Sequence, residues 1–481
     1  MPAPDDEPPV RRGMDLTTGP VTRVLVLFSI PVLLSSMLQS LSGSINAIWV
    51  GRYLGEAALT ATANANLILF FLLGVVFGVG MAATILVGQS VGARNIDRAK
   101  RVIGTTATFF VVASLIIAGL GYAFTPEILR LMDTPPSAQP LAEDYLRIIF
   151  LAVPPFYFQT LVMMVLRGSG DSRTPLIFTA LTAALDAGLN PFLIAGIGPF
   201  PALGIAGAAI ATLISVWVSL AAMLVWIYAR RFQLRLTGPE LAYLRPDPVL
   251  LRATVTKGSA MGLQMIVISG SAIVMMGLVN GYGVTTAAAY GVTAQLWAYV
   301  QMPAMAIGAA VSSMAAQNVG AGKWDRIERI ARSGVMVNVA MTGLLAVALL
   351  LLDPYALRLF LPGGGEAVTI AKHINDIVVW TFIPFGATIV LFGVVRATGA
   401  VTPPLIVLFV SMVVVRIPFA EAMMPYWGAD AIWWSFALGS LVSVTLTVSY
   451  YRWGGWRNAR MTPPGRAVHA PDAGMASPAA D

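Results

Sequence analysis

The sequence predicts an all-α integral membrane protein with twelve transmembrane helices in two six-helix lobes, related by a pseudo-two-fold axis normal to the membrane. Three observations point there. First, 57 % of the 481 residues are hydrophobic and only 11 % are charged, against about 25 % charged in a soluble protein. The 30 basic and 23 acidic side chains are too few to cover a water-facing surface of this length. Second, from Val21 to Arg452 the chain alternates apolar runs with short polar breaks, and about 20 apolar residues cross a bilayer as a helix. Third, the chain repeats itself. VGQSVGARNIDRAKR at 87–101 aligns with AAQNVGAGKWDRIER at 315–329, pairing Gln89 with Gln317, Gly92 with Gly320 and Asp97 with Asp325. VLRGSGDSRTPL at 165–176 aligns at nearly the same separation with VVRATGAVTPPL at 394–405, and Pro155-Phe156 with Pro384-Phe385. Six spans per repeat is an even number, so both halves enter from the same side, as parallel repeats.

Residues 1–20 are rich in Pro and charge and lack the basic start, apolar stretch and small-residue cleavage site of a signal peptide, so a disordered tail is expected. The first lobe, 21–229, takes spans starting near Val21, Ala57, Ala99, Leu141, Thr174 and Leu203. A basic linker, 230–256, precedes the second lobe, 257–453, whose spans start near Thr254, Thr285, Arg326, Ala367, Thr402 and Ala431. A second Pro/Ala-rich tail fills 454–481.

Only Arg52, Arg130, Arg147, Arg358 and Lys372 fall on the side opposite the two tails, and Arg416 alone of the basic residues is left inside a span. The positive-inside rule therefore places both termini in the cytoplasm and the chain in the plasma (inner) membrane. The net charge of +7 then answers to anionic inner-leaflet lipid, and no nucleic-acid partner is expected. With no Cys and only two His, His373 and His469, thiolate chemistry and a histidine-based metal or acid–base centre are excluded. No Ser/His, paired-His or two-carboxylate constellation lies in the spans, so neither an enzyme nor a bound cofactor is expected.

A duplicated bundle with little mass outside the membrane suits transport, the lobes rocking about a central cavity; a channel, a receptor or an intramembrane enzyme are the rival uses. Intramembrane charge is the sharpest pointer, because a charge at the bilayer centre must face a cavity or a partner. Asp186 and Glu421 are the acids left inside spans. Asp186 lies roughly 16 Å from the outer end of the fifth span, at 1.5 Å per residue, with Asn190 one turn outward on the same face. It reads either as a proton-carrying group or as a structural Asp capped by neighbouring hydroxyls and amides. Arg416 sits mid-way along the eleventh span and Glu421 five residues outward, too far along the helix for a good intrahelical pair; they read as functional groups or as a lock between helices. His373 is expected at the outer mouth of the tenth span. Gln39, Gln159, Met163, Gln264 and Gln295 are candidates for a substrate cavity, with interhelical hydrogen bonding as the other use for such residues.

GRYLGEAALTATA after the first span, VGQSVGAR and AAQNVGAG after the second and eighth, LRGSGDSRTPL after the fourth and GIAGAAIAT in the sixth resemble the multidrug and toxic compound extrusion (MATE) family, from about Pro20 to Arg452. The resemblance implies a two-lobed secondary antiporter that exports amphipathic, often cationic organic compounds in exchange for H⁺ or Na⁺. It further implies small-molecule substrates, a lipid environment and a monomer. The cation site of the DinF-like branch, carried over by motif, falls on Asn46, Asp186, Asn190 and Thr212. Here Asn46 stands where that branch has an Asp, and the fifth-span pair reads Asp186 then Asn190, in inverted order. One carboxylate is a weak cage for Na⁺ and favours H⁺ as coupling ion. The acids of the NorM-like branch are missing from IVISGSAIV and IPFGATIV in the seventh and tenth spans. Pro31 matches the family's first-span Pro and suits a helix that bends as the lobe opens. The alternatives are Na⁺-coupled multidrug export and flipping of lipid-linked oligosaccharides.

Overall fold

The computed structural model describes residues 13–132, 138–360 and 365–462, and no strand occurs among them. The first six spans are α1 (Val21–Leu54), α2 (Glu56–Gly92), α3 (Ile96–Ala123), then, after the short α4 (Thr125–Leu131), α5 (Gln139–Gly168), α6 (Arg173–Ala195) and α7 (Gly204–Ala229). The second six open with α8 (Pro248–Asn280), α9 (Val284–Gly320) and α10 (Trp324–Phe360). The tenth span is broken into α11 (Glu366–Val378) and α12 (Phe382–Thr398). The eleventh runs through α13 (Thr402–Phe409), a π-helical stretch (Val410–Val415) and α14 (Arg416–Trp427), and the twelfth is α15 (Asp430–Trp453). Among the described residues ten of these spans are long and apolar enough to cross a membrane. The other two, α2 and α9, are repeat-related, and α9 is buried almost continuously from Pro303 to Asn318, where protein rather than lipid is its environment.

Boundaries follow local chemistry. Asn95 caps α3 by accepting from the Arg98 N–H at 2.9 Å. The linker is shorter than expected, because α8 starts at Pro248 instead of near Thr254: Pro is preset for the first helical turn, and the Asp247 carboxylate accepts from the Val249 and Leu250 N–H groups. The linker is also packed on the first lobe. Lys100 on α3 bonds Glu240 at 2.5 Å, which holds Glu240 below the usual carboxylate range, and Tyr243 donates to Asp97.

The lobes meet along α1 and α2 on one side and α8, α9 and α10 on the other. Where α2 crosses α8, Gly78 and Gly258 lie backbone to backbone; a Cβ on Gly258 would sit 2.5 Å from the Val79 Cα. At the end of the bundle that carries Met14 and Thr462, the repeated motifs close on each other. Gln89 Nε2 donates to the Ala397 carbonyl at 2.7 Å, and its repeat mate Gln317 donates to the Gly168 carbonyl at 2.9 Å. A Cβ on Gly92 would strike the Gln317 carbonyl, and one on Gly320 the Gln89 carbonyl. One apolar cluster runs through the first lobe and continues across this seal into Ala310, Val311, Val390 and Val394. The far end of the second lobe has a separate core around Trp297, Ile374 and Trp433.

The described part of the amino-terminal segment departs from the expected free tail. Leu16 is fully buried, its N–H donating to Gln317 Oε1 at 3.3 Å and its carbonyl accepting from Asn318 at 3.0 Å. Met14 N–H donates to the Gly170 carbonyl in the first lobe, and Lys323 and Arg326 in the second lobe donate to the carbonyls of Thr17, Thr18 and Gly19. Burying one Leu and satisfying these backbone groups holds the strap across the closed end. Beyond α15, Trp456 is buried and Thr462 accepts from Arg98 of the first lobe at 2.9 Å.

Candidate cation and ligand sites

One face of α6 carries a column of polar residues, Thr179, Thr182, Asp186 and Asn190, at spacings of three and four that align them along the helix. Asp186 is 7 % exposed. Thr212 on α7 donates its hydroxyl to one carboxylate oxygen at 2.8 Å, and Ser42 on α1 donates to the other at 3.4 Å. Asn46, one turn along α1 from Ser42, brings its amide to the same carboxylate. Asn190 is fully buried, but its amide donates to the backbone carbonyl of Asp186 at 2.8 Å and its own Oδ1 is without a partner. The four residues the sequence singles out for a cation site thus meet where α1, α6 and α7 converge, with Ser42 as a fifth that sequence reading missed. Its signal was the spacing Ser42 to Asn46, one helical turn. One carboxylate surrounded by hydroxyls and amides can hold a proton or donate several oxygens to a small cation. Among the described residues no three His, Asp or Glu side chains cluster.

The expected cavity residues do not form one group. Gln159 is buried and donates to Thr182 and Ser219, both at 3.0 Å, tying α5 to α6 and α7. Met163, half-buried, accepts from the Thr179 hydroxyl at 3.8 Å through sulfur. Gln264 departs from the expectation of a cavity residue: it is buried, donates to the Val401 carbonyl and accepts from Arg396 at 3.3 Å, joining α8 to α12. Arg396 was expected outside the spans, but the Phe392 carbonyl and Gln264 take its guanidinium into the protein. Gln39 and Gln295 are exposed on α1 and α9, the helices that line the lobe interface. Pro31 is buried within a continuous α1, and its carbonyl accepts from the Ser35 hydroxyl at 2.8 Å. Glu421, read as an embedded acid, is exposed in the middle of α14, whose buried residues are Arg416 and Ala420. His373 bonds Asp430 at 2.8 Å in an exposed pair.

The embedded acid of the second lobe is Asp353 instead, fully buried on α10. Asn375 on α11 donates to it at 2.7 Å, and Trp297 on α9 donates its indole N–H to Asn375 at 2.8 Å. The Leu run ahead of Asp353 was the available signal, but nearness to the end of the span made it look solvated. Replacing Asn375 by Leu leaves both a buried carboxylate oxygen and an indole N–H unsatisfied. The expected loss is about 2–4 kcal/mol, read as a lower unfolding midpoint of the purified protein; an unchanged midpoint contradicts this reading of the network.

The MatE family profile matches residues 31–192 and again 260–421, one copy in each lobe. The chain is 34 % identical over 444 residues, 92 % of its length and 96 % of the relative's, to the "Probable multidrug resistance protein YoeA" of Bacillus subtilis, and 32 % identical over 451 residues, 94 % of its length and 99 % of the relative's, to YpnP of the same organism. Its fold superposes on a solved outward-facing MATE family transporter with a TM-score of 0.85 at 18 % identity, covering 92 % of this chain and 98 % of that one. The chain belongs to the MatE family and is a multi-pass membrane transporter of two lobes.

Proposed function

We propose that the protein exports amphipathic, often cationic organic compounds from the cytoplasm in exchange for H⁺, as a monomer in the plasma (inner) membrane with both termini cytoplasmic. The observation that carries the coupling is Asp186, a single buried carboxylate held by donors from two other helices. The names of the relatives, both probable multidrug resistance proteins, support organic drugs as the cargo. In the ionised form the Thr212 and Ser42 hydroxyls both point donors at the carboxylate, with the Asn46 amide beside them. A proton on Asp186 removes that charge and takes one acceptor position, so Ser42 and Asn46 lose part of their hold and α1 is freed to move against α6. Coupling then needs only that the proton and the substrate favour different arrangements of the lobe. The closed end sealed by Gln89 and Gln317 fits the outward-facing half of the cycle, with Gln39 and Gln295 exposed on α1 and α9, which meet at the lobe interface.

The unpartnered Asn190 Oδ1 supports a second reading, Na⁺ coupling, since it adds an oxygen beside Asp186 and Thr212. Purified protein in liposomes decides between them: dye efflux is expected under a proton gradient alone and not under a sodium gradient alone, and the reverse result overturns proton coupling.

A further inference from the structure

A second site lies wholly within the carboxy-terminal lobe. A cavity of about 210 Å³ opens beside Arg416, bordered by Tyr290, Trp297, Phe382 and Phe436 and by the amide of Gln301. Arg416 is 7 % exposed. Its Cζ lies 3.4 Å from the centre of the Phe436 ring, its Nε has no partner, and among the described residues the guanidinium makes neither an ion pair nor a hydrogen bond. Glu421 on the same helix is exposed and turned elsewhere. Asp353, the buried acid of this lobe, is engaged by Asn375.

A buried guanidinium without a counter-charge is costly, and stacking on one ring offsets only part of that cost. The backbone is shaped to place it there. Arg416 follows directly on the π-helical Val410–Val415, a widened turn that re-aims the side chains after it, and Ser271 on α8 donates to the Met412 carbonyl at 3.1 Å, holding the turn. The aromatic wall is equally fixed: Tyr290 stacks on Trp433 at 5.8 Å and meets Trp297 edge-on at 5.7 Å.

We propose that this cavity binds a carboxylate or phosphate carried on a flat apolar body, with Arg416 taking the anion and the aromatic wall taking the ring. The transporter then accepts zwitterionic or anionic amphiphiles besides cations. The volume suits one or two rings, a subsite rather than a whole drug-sized molecule. A charge-assisted fork of N–H groups distinguishes the anion from its neutral ester by about tenfold or more. The site rests on the proposed function only in taking organic substrates as the cargo, and binding is measured without transport, so the two readings fail separately.

The test uses the full chain in nanodiscs, equilibrium dialysis and three probes: 2-naphthoate, its methyl ester and 2-naphthylmethylammonium. Naphthoate is expected to bind at least about tenfold tighter than the other two. Arg416→Lys keeps part of that preference and Arg416→Met loses it. Equal binding of the three probes to the unaltered protein overturns the site even if no Arg416 variant folds, and so does a preference that survives in Arg416→Met. Weaker naphthoate binding in discs containing phosphatidylglycerol identifies lipid phosphate as the natural anion; equal binding in neutral and anionic discs identifies a soluble substrate.

Discussion

Asp186→Asn is expected to abolish proton-driven efflux, lowering the initial rate by about 100-fold or more, while the protein remains folded. The amide has nearly the volume of the carboxyl, so the packing among α1, α6 and α7 is kept, and the Thr212 and Ser42 hydroxyls can rotate to accept from the new N–H group. What is lost is the group whose charge changes. An embedded acid that only capped its neighbours would tolerate this change, because a neutral partner serves that purpose. Undiminished efflux by a well-folded Asp186→Asn protein rejects Asp186 as the coupling group. Glu421→Gln is the matched control: its side chain is exposed outside the polar column of α6, and efflux within about twofold of the unaltered protein is expected.

Gly92→Leu is expected to have the second largest effect, and to act on conformation instead of chemistry. Gly92 and Gly320 each rest on the backbone carbonyl of a repeat-related glutamine in the other lobe, so a side chain here meets backbone, which cannot rotate away. Overpacking of this kind costs about 2 kcal/mol, enough to shift a two-state balance about 30-fold away from the arrangement closed at the terminal end. The chain has no Cys, so spin labels on cysteines introduced at the exposed Ala93 and Asp325 report the distance between the lobe ends without background. The Gly92→Leu protein should show a longer distance and efflux reduced by about tenfold or more. An unchanged distance distribution would falsify the seal as drawn. The symmetric Gly320→Leu change should behave alike.

Much of this architecture was legible in the chain itself. Apolar runs of bilayer length marked the spans, because lipid forces every backbone group into an internal helix ladder and leaves one solution for each run. The Gln89 and Gln317 motifs showed the duplication, and scarcity of charge made Asp186 stand out at the middle of α6. The failures have a common cause. Asp353 and Glu421 both lie near the outer ends of spans, where depth along a helix says nothing about which way a side chain faces. Gln264 and Arg396 satisfy each other across α8 and α12, a pairing separated by most of a lobe in sequence. Leu16 looked like part of a polar tail because one apolar residue carries no periodicity.

The sequence by itself determined the helices, their order, the two-lobe repeat and the place of Asp186 along α6, since these depend on local hydrophobic pattern and on residue spacing along one helix. Tertiary structure alone decided that Ser42 and Asn46 reach Asp186 from α1, that the repeated glutamines cross between lobes, and that Arg416 faces an aromatic cavity without a counter-charge. Those facts depend on rotation and packing of helices that are hydrophobic around much of their circumference. Such helices show little amphipathic contrast to reveal which side meets lipid and which meets protein.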